Sequence, residues 1–199
     1  MEFSDAAGLV YFGYVSQRDD EHHIVRGLTV SNKHRDDHYC IGTYDEYDVV
    51  FVERSDTLHS GKSHVWHIIE IDLKSNVDIP HMFISSRVNA VGFHEILKTK
   101  HHTMLSHPMG TLHPYSHDFL SEYHVHTTPT HAVQAERLIT PMVAEKIAAH
   151  FKGLTIEVTH DSLYIYSEKT HLTQSLLMTM MTNGVWLANQ LDANSRQLI

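Results

Sequence analysis

The segment His64–Leu73 constrains this chain most. Read as a strand, it is apolar on both faces, with Trp66 and Ile68 on one and Ile69 and Ile71 on the other. A strand of this kind is central in its sheet or covered by helices. The surrounding sequence supplies neighbours of both types.

On the N-terminal side, Leu9–Val15 and Ile24–Val30 read as strands. They are separated by the polar loop Arg18–His23, and the polar turn Ser31–Asp37 follows them. Tyr39–Tyr44 and Tyr47–Glu53 form a hairpin about Asp45-Glu46, rich in the Tyr, Val and Phe that strands favour. Ser55–Ser63 reads as a Ser- and Gly-containing loop, and Pro80 opens a further strand, His81–Ser85. The expectation is an antiparallel meander of five or six strands.

Helical signals then take over. Phe93–Lys98 reads as a short helix, and 101–116 as a loop interrupted by Pro108, Gly110 and Pro114. Alternation predicts a strand over Phe119–His126. Ala132–Ile139 and Pro141–Phe151 are two successive helices, the second with Thr140 as N-cap and Pro141 at its first position. Leu154–Val158 and Leu163–Tyr166 make a hairpin around His160-Asp161. Leu172–Leu191 is a long amphipathic helix with Leu177, Met180 or Met181, Gly184, Leu187 or Ala188, and Leu191 along one stripe. Ala193–Ile199 is expected to fray. The class is α+β: an antiparallel meander or half-barrel sheet packed by two or three C-terminal helices, in a single domain over 1–199.

Composition narrows the function classes. The formal charge is −9, and no Lys/Arg cluster overrides it, which excludes a dedicated nucleic-acid binder. The lone Cys40 excludes an internal disulfide framework and fits a reducing cytoplasm. No stretch approaches the ~18 continuous apolar residues of a membrane-spanning helix, so the expectation is a soluble chain, or one whose membrane anchor lies outside this sequence.

Histidine is the chemical anomaly. There are 20, nine of them between His94 and His131. Protonating all of them would move the formal charge from −9 to +11, so a pH-responsive binder is one reading. A metal site is another. In a strand, His124-x-His126 places two imidazoles on one face, roughly 6.5 Å apart along the chain. His131, Glu122 or a residue of the 101–117 loop would complete a three-ligand site for zinc or another transition metal, as in a metal-dependent hydrolase. The metal candidates are thus His124, His126 and His131; the bland alternative is a solvent-facing strand in a histidine-biased chain. The His-x-His pattern departs from that of the cupin barrel, because its carboxylate position falls on Thr130 or His131 and the flanking glycines are missing. His113-x-x-x-His117 is not the zinc-protease pattern, since Pro114 stands where that motif needs Glu. His22-His23 and His101-His102 read as exposed loop pairs, and one of His64 and His67 as a core-edge histidine. Asp19-Asp20 and Asp36-Asp37 read as solvated surface, and Cys40 as a buried thiol. Ser60-Gly61-Lys62-Ser63 ends like a phosphate-binding loop, but the first glycine of that motif is replaced by Asp56.

Several pieces together resemble a group of uncharacterised bacterial α+β domains. They are Ser60-Gly61-Lys62, Ile79-Pro80-His81, Phe119-x-x-x-Tyr123-x-Val125, Leu138-Ile139-Thr140-Pro141-Met142 and the Leu154–Tyr166 hairpin, within residues 39–191. The resemblance implies one α+β domain, and members often carry transmembrane helices ahead of it. It implies no activity and no catalytic residues. With no complete catalytic motif, the favoured expectation is a non-enzymatic binding or interaction module for a protein or membrane-surface partner.

Overall fold

The computed structural model describes residues 2–15, 34–58, 60–88 and 90–198. The expected strand at 24–30, the loop at 18–23 and the His22-His23 pair lie outside the described residues. A short helix α1 (Glu2–Ala7), not foreseen in the sequence, precedes strand β1 (Val10–Val15). Then follow β2 (Arg35–Tyr44), β3 (Tyr47–Thr57), β4 (Ser63–Asp72) and β5 (Ile79–Ser86). Helix α2 (Val91–Lys100), strand β6 (Leu105–His107), helix α3 (His117–Glu122) and strand β7 (Tyr123–Thr127) come next. The chain ends with α4 (Ala132–Leu138), α5 (Pro141–His150), β8 (Thr155–His160), β9 (Ser162–Ser167) and α6 (Gln174–Ser195).

The nine strands of the described residues form one open antiparallel sheet in the order β1-β2-β3-β4-β9-β8-β5-β7-β6. The α+β expectation therefore holds, and β4 is central, between β3 and β9. The meander runs only through β4. The β8–β9 hairpin inserts between β4 and β5, pairing Ile68 with Tyr166 on one side and Phe83 with Glu157 on the other.

Both faces of β4 are buried, as its composition requires. Ile69 and Ile71 pack with Val158, Ile165, Met181, Leu187 and Leu191 beneath α6, in a core that also takes Phe3, Leu138 and Ile147 from α1, α4 and α5. Trp66 and Ile68 pack with Phe83, Phe93, Ile96 and Tyr166 beneath α2. The α6 stripe is the one its periodicity predicts: Leu177, Met180, Met181, Gly184, Leu187, Ala188 and Leu191 are all buried. A Cβ on Gly184 would stand 2.5 Å from Ile165 Cδ1 and 2.8 Å from Ile71 Cδ1, so glycine lets α6 settle directly on β4 and β9.

Five local expectations are corrected. Phe119–His126 is not one strand, because Ser116 caps a helical turn by accepting from the Phe119 N–H, and α3 runs to Glu122 before β7 begins. The 101–116 segment contains β6, which pairs with β7 as the far edge of the sheet. β3 continues through Thr57, and α6 continues through Ser195, beyond the expected starts of a loop and a frayed tail. Asp36 is not solvated surface: it is 5% exposed and receives 2.7 Å hydrogen bonds from both Nε and Nη2 of the fully buried Arg54. A buried guanidinium needs such a partner, and only the β2–β3 pairing of Asp36 with Arg54 reveals it.

Candidate functional site

Strand β7 carries two histidines of the run, and its edge partner β6 carries His107. His124 and His126 lie two apart on the α2 face, with ring centroids 5.8 Å apart, as the alternation predicts. His126 is buried, its Nε2 3.2 Å from Ser85 Oγ on β5 and its ring 6.0 Å from that of Phe93 on α2. Burial first, and then the neighbouring His124 and His94, push its pKa down to about 4. Burial also lowers His124, reinforced by Arg87 and His94; its Nδ1 is 3.4 Å from Ser106 Oγ.

His131 sits elsewhere. The chain leaves β7 through the 3-10 turn Pro129–His131 into α4, whose Ala135 and Leu138 belong to the core on the opposite face. The His131 Nδ1 is 3.0 Å from Thr128 Oγ1. Among the described residues, no three His, Cys, Asp or Glu side chains are gathered to hold a metal ion. The structure brings His124 and His126 together and leaves His131 outside the pair.

The rest of the run divides by environment. His113 and His117 are exposed, and they share no helix because α3 starts at His117. His101 is not the exposed loop residue expected. It caps α2, with its ring 5.2 Å from Phe83 and 5.4 Å from His81, and burial lowers its pKa. Of the pair His64 and His67, the buried one is His67, whose Nε2 lies 3.2 Å from Glu53 Oε2; burial lowers its pKa against the opposing pull of Glu53. Cys40 is buried as expected, and burial pushes its thiol up to about 11, which makes it a poor nucleophile.

Several buried carboxylates escaped the sequence reading, among them Glu157, Glu70 and Glu136. Glu157 on β8 is 1% exposed, 2.7 Å from His81 Nε2, and accepts from the Tyr166 hydroxyl at 2.5 Å. Glu70 on β4 accepts from the Tyr164 hydroxyl at 2.8 Å. Each stands between apolar neighbours (Ile156 and Val158, Ile69 and Ile71) on a strand buried on both faces, which is the signal available in the sequence. Glu136 on α4 is fully buried and ties down the loop between β6 and α3. It accepts from the N–H groups of Gly110, Thr111 and Leu112, and its Oε1 is 3.0 Å from His107 Nε2. Burial by itself raises this carboxyl, but the Leu112 and Thr111 donors, with His107 and Gly110, outweigh it and hold the pKa at about 2.

Several clefts open on the surface, and two of them adjoin the features described above. One of about 470 Å³ lies at the end of α6, between Tyr47, Lys74, Asp192 and Arg196. Asp192 Oδ2 accepts there from the Tyr47 hydroxyl at 2.8 Å, and the Lys74 ammonium stands 4.3 Å from the Tyr47 ring centre. The other, about 380 Å³, lies at the β6–β7 edge beside α3. Its walls include Arg87, Ser106, Met109, Leu120, Tyr123 and His124. None of these clusters assembles a nucleophile, a base and an orienting group in line.

No protein-family model matches this chain, and no curated protein does. Among solved structures it is similar to the crystal structure of the mycobacterial trehalose monomycolate transport factor A, TtfA, with a TM-score of 0.58. The match covers 98% of this chain and 91% of that one at 9% sequence identity, a likeness of fold alone.

Proposed function

We propose that this chain is a non-enzymatic binding module that docks a protein or membrane-surface partner in the cytoplasm. The observation that carries the reading is strand β1, at the edge of the sheet among the described residues, where Val10, Tyr11, Phe12 and Tyr14 are 58%, 42%, 49% and 61% exposed. Exposed aromatic side chains on a sheet edge suit strand addition or apolar docking. The methionines of α6 do not provide such a surface, because Met180 and Met181 are in the core. The resemblance of residues 39–191 to uncharacterised bacterial domains, and the fold shared with a protein named as a transport factor, agree with a binding role in transport. Among the described residues no helix is long and apolar enough to cross a membrane.

Vesicle co-sedimentation, and photo-cross-linking in cells from a reactive residue at position 12, test this reading. Saturable vesicle binding or one discrete cross-linked product is expected, lost in a Phe12→Ser/Tyr14→Ser variant. Neither signal from the intact chain would remove the reading.

The pairing of His124 with His126 favours a second reading, a metal-dependent protein using zinc or another transition metal and acting as a hydrolase. Two imidazoles are one ligand short of a catalytic zinc site, and His131 would have to leave Thr128 to complete it. Elemental analysis of tag-free protein purified without chelator decides this. One metal per chain, lost on His124→Ala/His126→Ala, is the outcome this reading expects; metal-free protein that added zinc does not stabilise overturns it.

A further inference from the structure

The cleft at the β6–β7 edge carries a charge, that of Arg87, for which no carboxylate partner stands among the described residues. Of the described arginines, Arg35 is paired with Asp37 and Arg54 with Asp36, while Arg137 donates to the Gln197 carbonyl at 3.4 Å. Arg87 is held at two points: its Nη2 donates to the Leu120 carbonyl at 3.1 Å, and its own N–H donates to the Glu122 carbonyl at 2.8 Å. These bonds fix the guanidinium at the mouth of the cleft while leaving its charge available. The ten residues that line the cleft include no Asp or Glu, in a protein of formal charge −9. Of the acids of α3, Glu122 is 3.6 Å from the Lys152 ammonium and Asp118 is 4.0 Å from His117, and the Glu136 carboxylate of α4 is taken up by His107 and the three backbone donors. The rest of the cleft wall is mixed, with Ser106, His107 and His124 beside an apolar part. Phe119 and Tyr123 are stacked with ring centres 5.7 Å apart, Met109 and Val125 add to the wall, and Leu120 is 39% exposed at the rim. The volume of about 380 Å³ lies within the ~300–1,000 Å³ range of small-molecule sites.

We propose that this cleft binds a small anionic amphiphile, with its carboxylate or phosphate head on Arg87 and its apolar stem between Leu120, Met109 and Tyr123. Arg87 supplies a charge-assisted fork to the oxyanion, and the Ser106 hydroxyl and His124 ring supply further donors from the facing strands. His124 is neutral at pH 7.5, and the groups facing it are Arg87, His94 and His126, with Ser106 on the adjacent strand. An anion on Arg87 favours its protonation, so binding tightens as pH falls through the range where His124 titrates. The inference is independent of the β1 docking surface and would survive the loss of that reading.

Titration of the full chain with octanoate, octyl phosphate, octanol and inorganic phosphate, read by NMR shifts and calorimetry at low salt, tests it. Octanoate or octyl phosphate should bind saturably and shift Leu120, Tyr123 and the Arg87 Nε–H. Arg87→Gln should weaken binding at least about tenfold. Leu120→Gln should weaken the amphiphiles and leave inorganic phosphate unchanged, and His124→Ala should flatten the pH dependence. Both altered wall residues outside the strand, Arg87 and Leu120, are exposed, so these variants are expected to keep the parent melting temperature. Octanol binding as tightly as octanoate, inorganic phosphate binding as tightly as octyl phosphate, or an Arg87→Gln variant with undiminished affinity would each overturn the proposal.

Discussion

At the scale of single residues, the chemistry of this protein is set by desolvation. His94, His101, His124 and His126 all have depressed pKa values, each with burial as the leading cause. In the unfolded chain they titrate near 6.5, so at mildly acidic pH the unfolded state binds more protons than the folded one. Their contribution is complete above about pH 6.5 and is lost as pH falls toward the folded value of about 4 for His126. That shift corresponds to roughly 3 kcal/mol for His126. Urea unfolding at pH 7.5 and pH 5 should show the loss, and His126→Leu should reduce it. Glu136 acts with the opposite sign of charge: its folded pKa of about 2 contributes stability above the ordinary carboxylate range, lost as pH falls toward 2. Glu136→Ala would orphan three loop N–H donors and leave His107 unpaired, costing about 3 kcal/mol in denaturant melts. None of these environments is written at the residue itself. Glu136 looks in sequence like any helix glutamate, and only the folded loop from Gly110 to Leu112 makes it a hub.

At the scale of elements, local signals are legible where side chain and backbone agree. Thr140 accepts from the Val143 N–H and Pro141 follows it, as the sequence predicts, and Thr140→Ala should cost about 1 kcal/mol. The α6 stripe is equally legible, because its period matches one face of a helix. Gly184→Ala should destabilise by about 1–3 kcal/mol despite the better helix propensity of alanine, since Ile165 and Ile71 must both give way. A melt showing stabilisation would mean that the two isoleucines repack freely. The failure at Phe119–His126 is instructive. Alternation puts Phe119, Tyr123 and Val125 on one strand face, and all three do reach the same core. Phe119 and Tyr123 are four apart, a spacing that also fits one face of a helix, so apolar spacing alone could not separate one helical turn from strand. The Ser116 cap decided it.

At the scale of the whole molecule, the long-range pairing dominates. β4 pairs with β9 across about a hundred residues of sequence, and the β8–β9 hairpin links the N-terminal meander to β5, β7 and β6. With one continuous sheet and cores on both its faces, a single cooperative unfolding transition is expected. Calorimetric and van't Hoff enthalpies that disagree would divide the chain into separately folding parts. The non-local topology also predicts slow refolding, which stopped-flow fluorescence of Trp66 and Trp186 would report.

What the sequence by itself determined is the α+β class, the β2–β3 and β8–β9 hairpins, the C-terminal helices, the central place of β4 and the shared face of His124 and His126. All of these rest on period, capping or turn chemistry, which act over a few residues. Only the tertiary structure decided that β9 and not β5 lies beside β4, that Asp36 is buried against Arg54, that His131 stands apart from the histidine pair, and that Arg87 opens into an acid-free cleft. Those outcomes depend on which distant strands pair and which side chains lose their water as they do. That energy belongs to the assembled sheet and to no single segment of it.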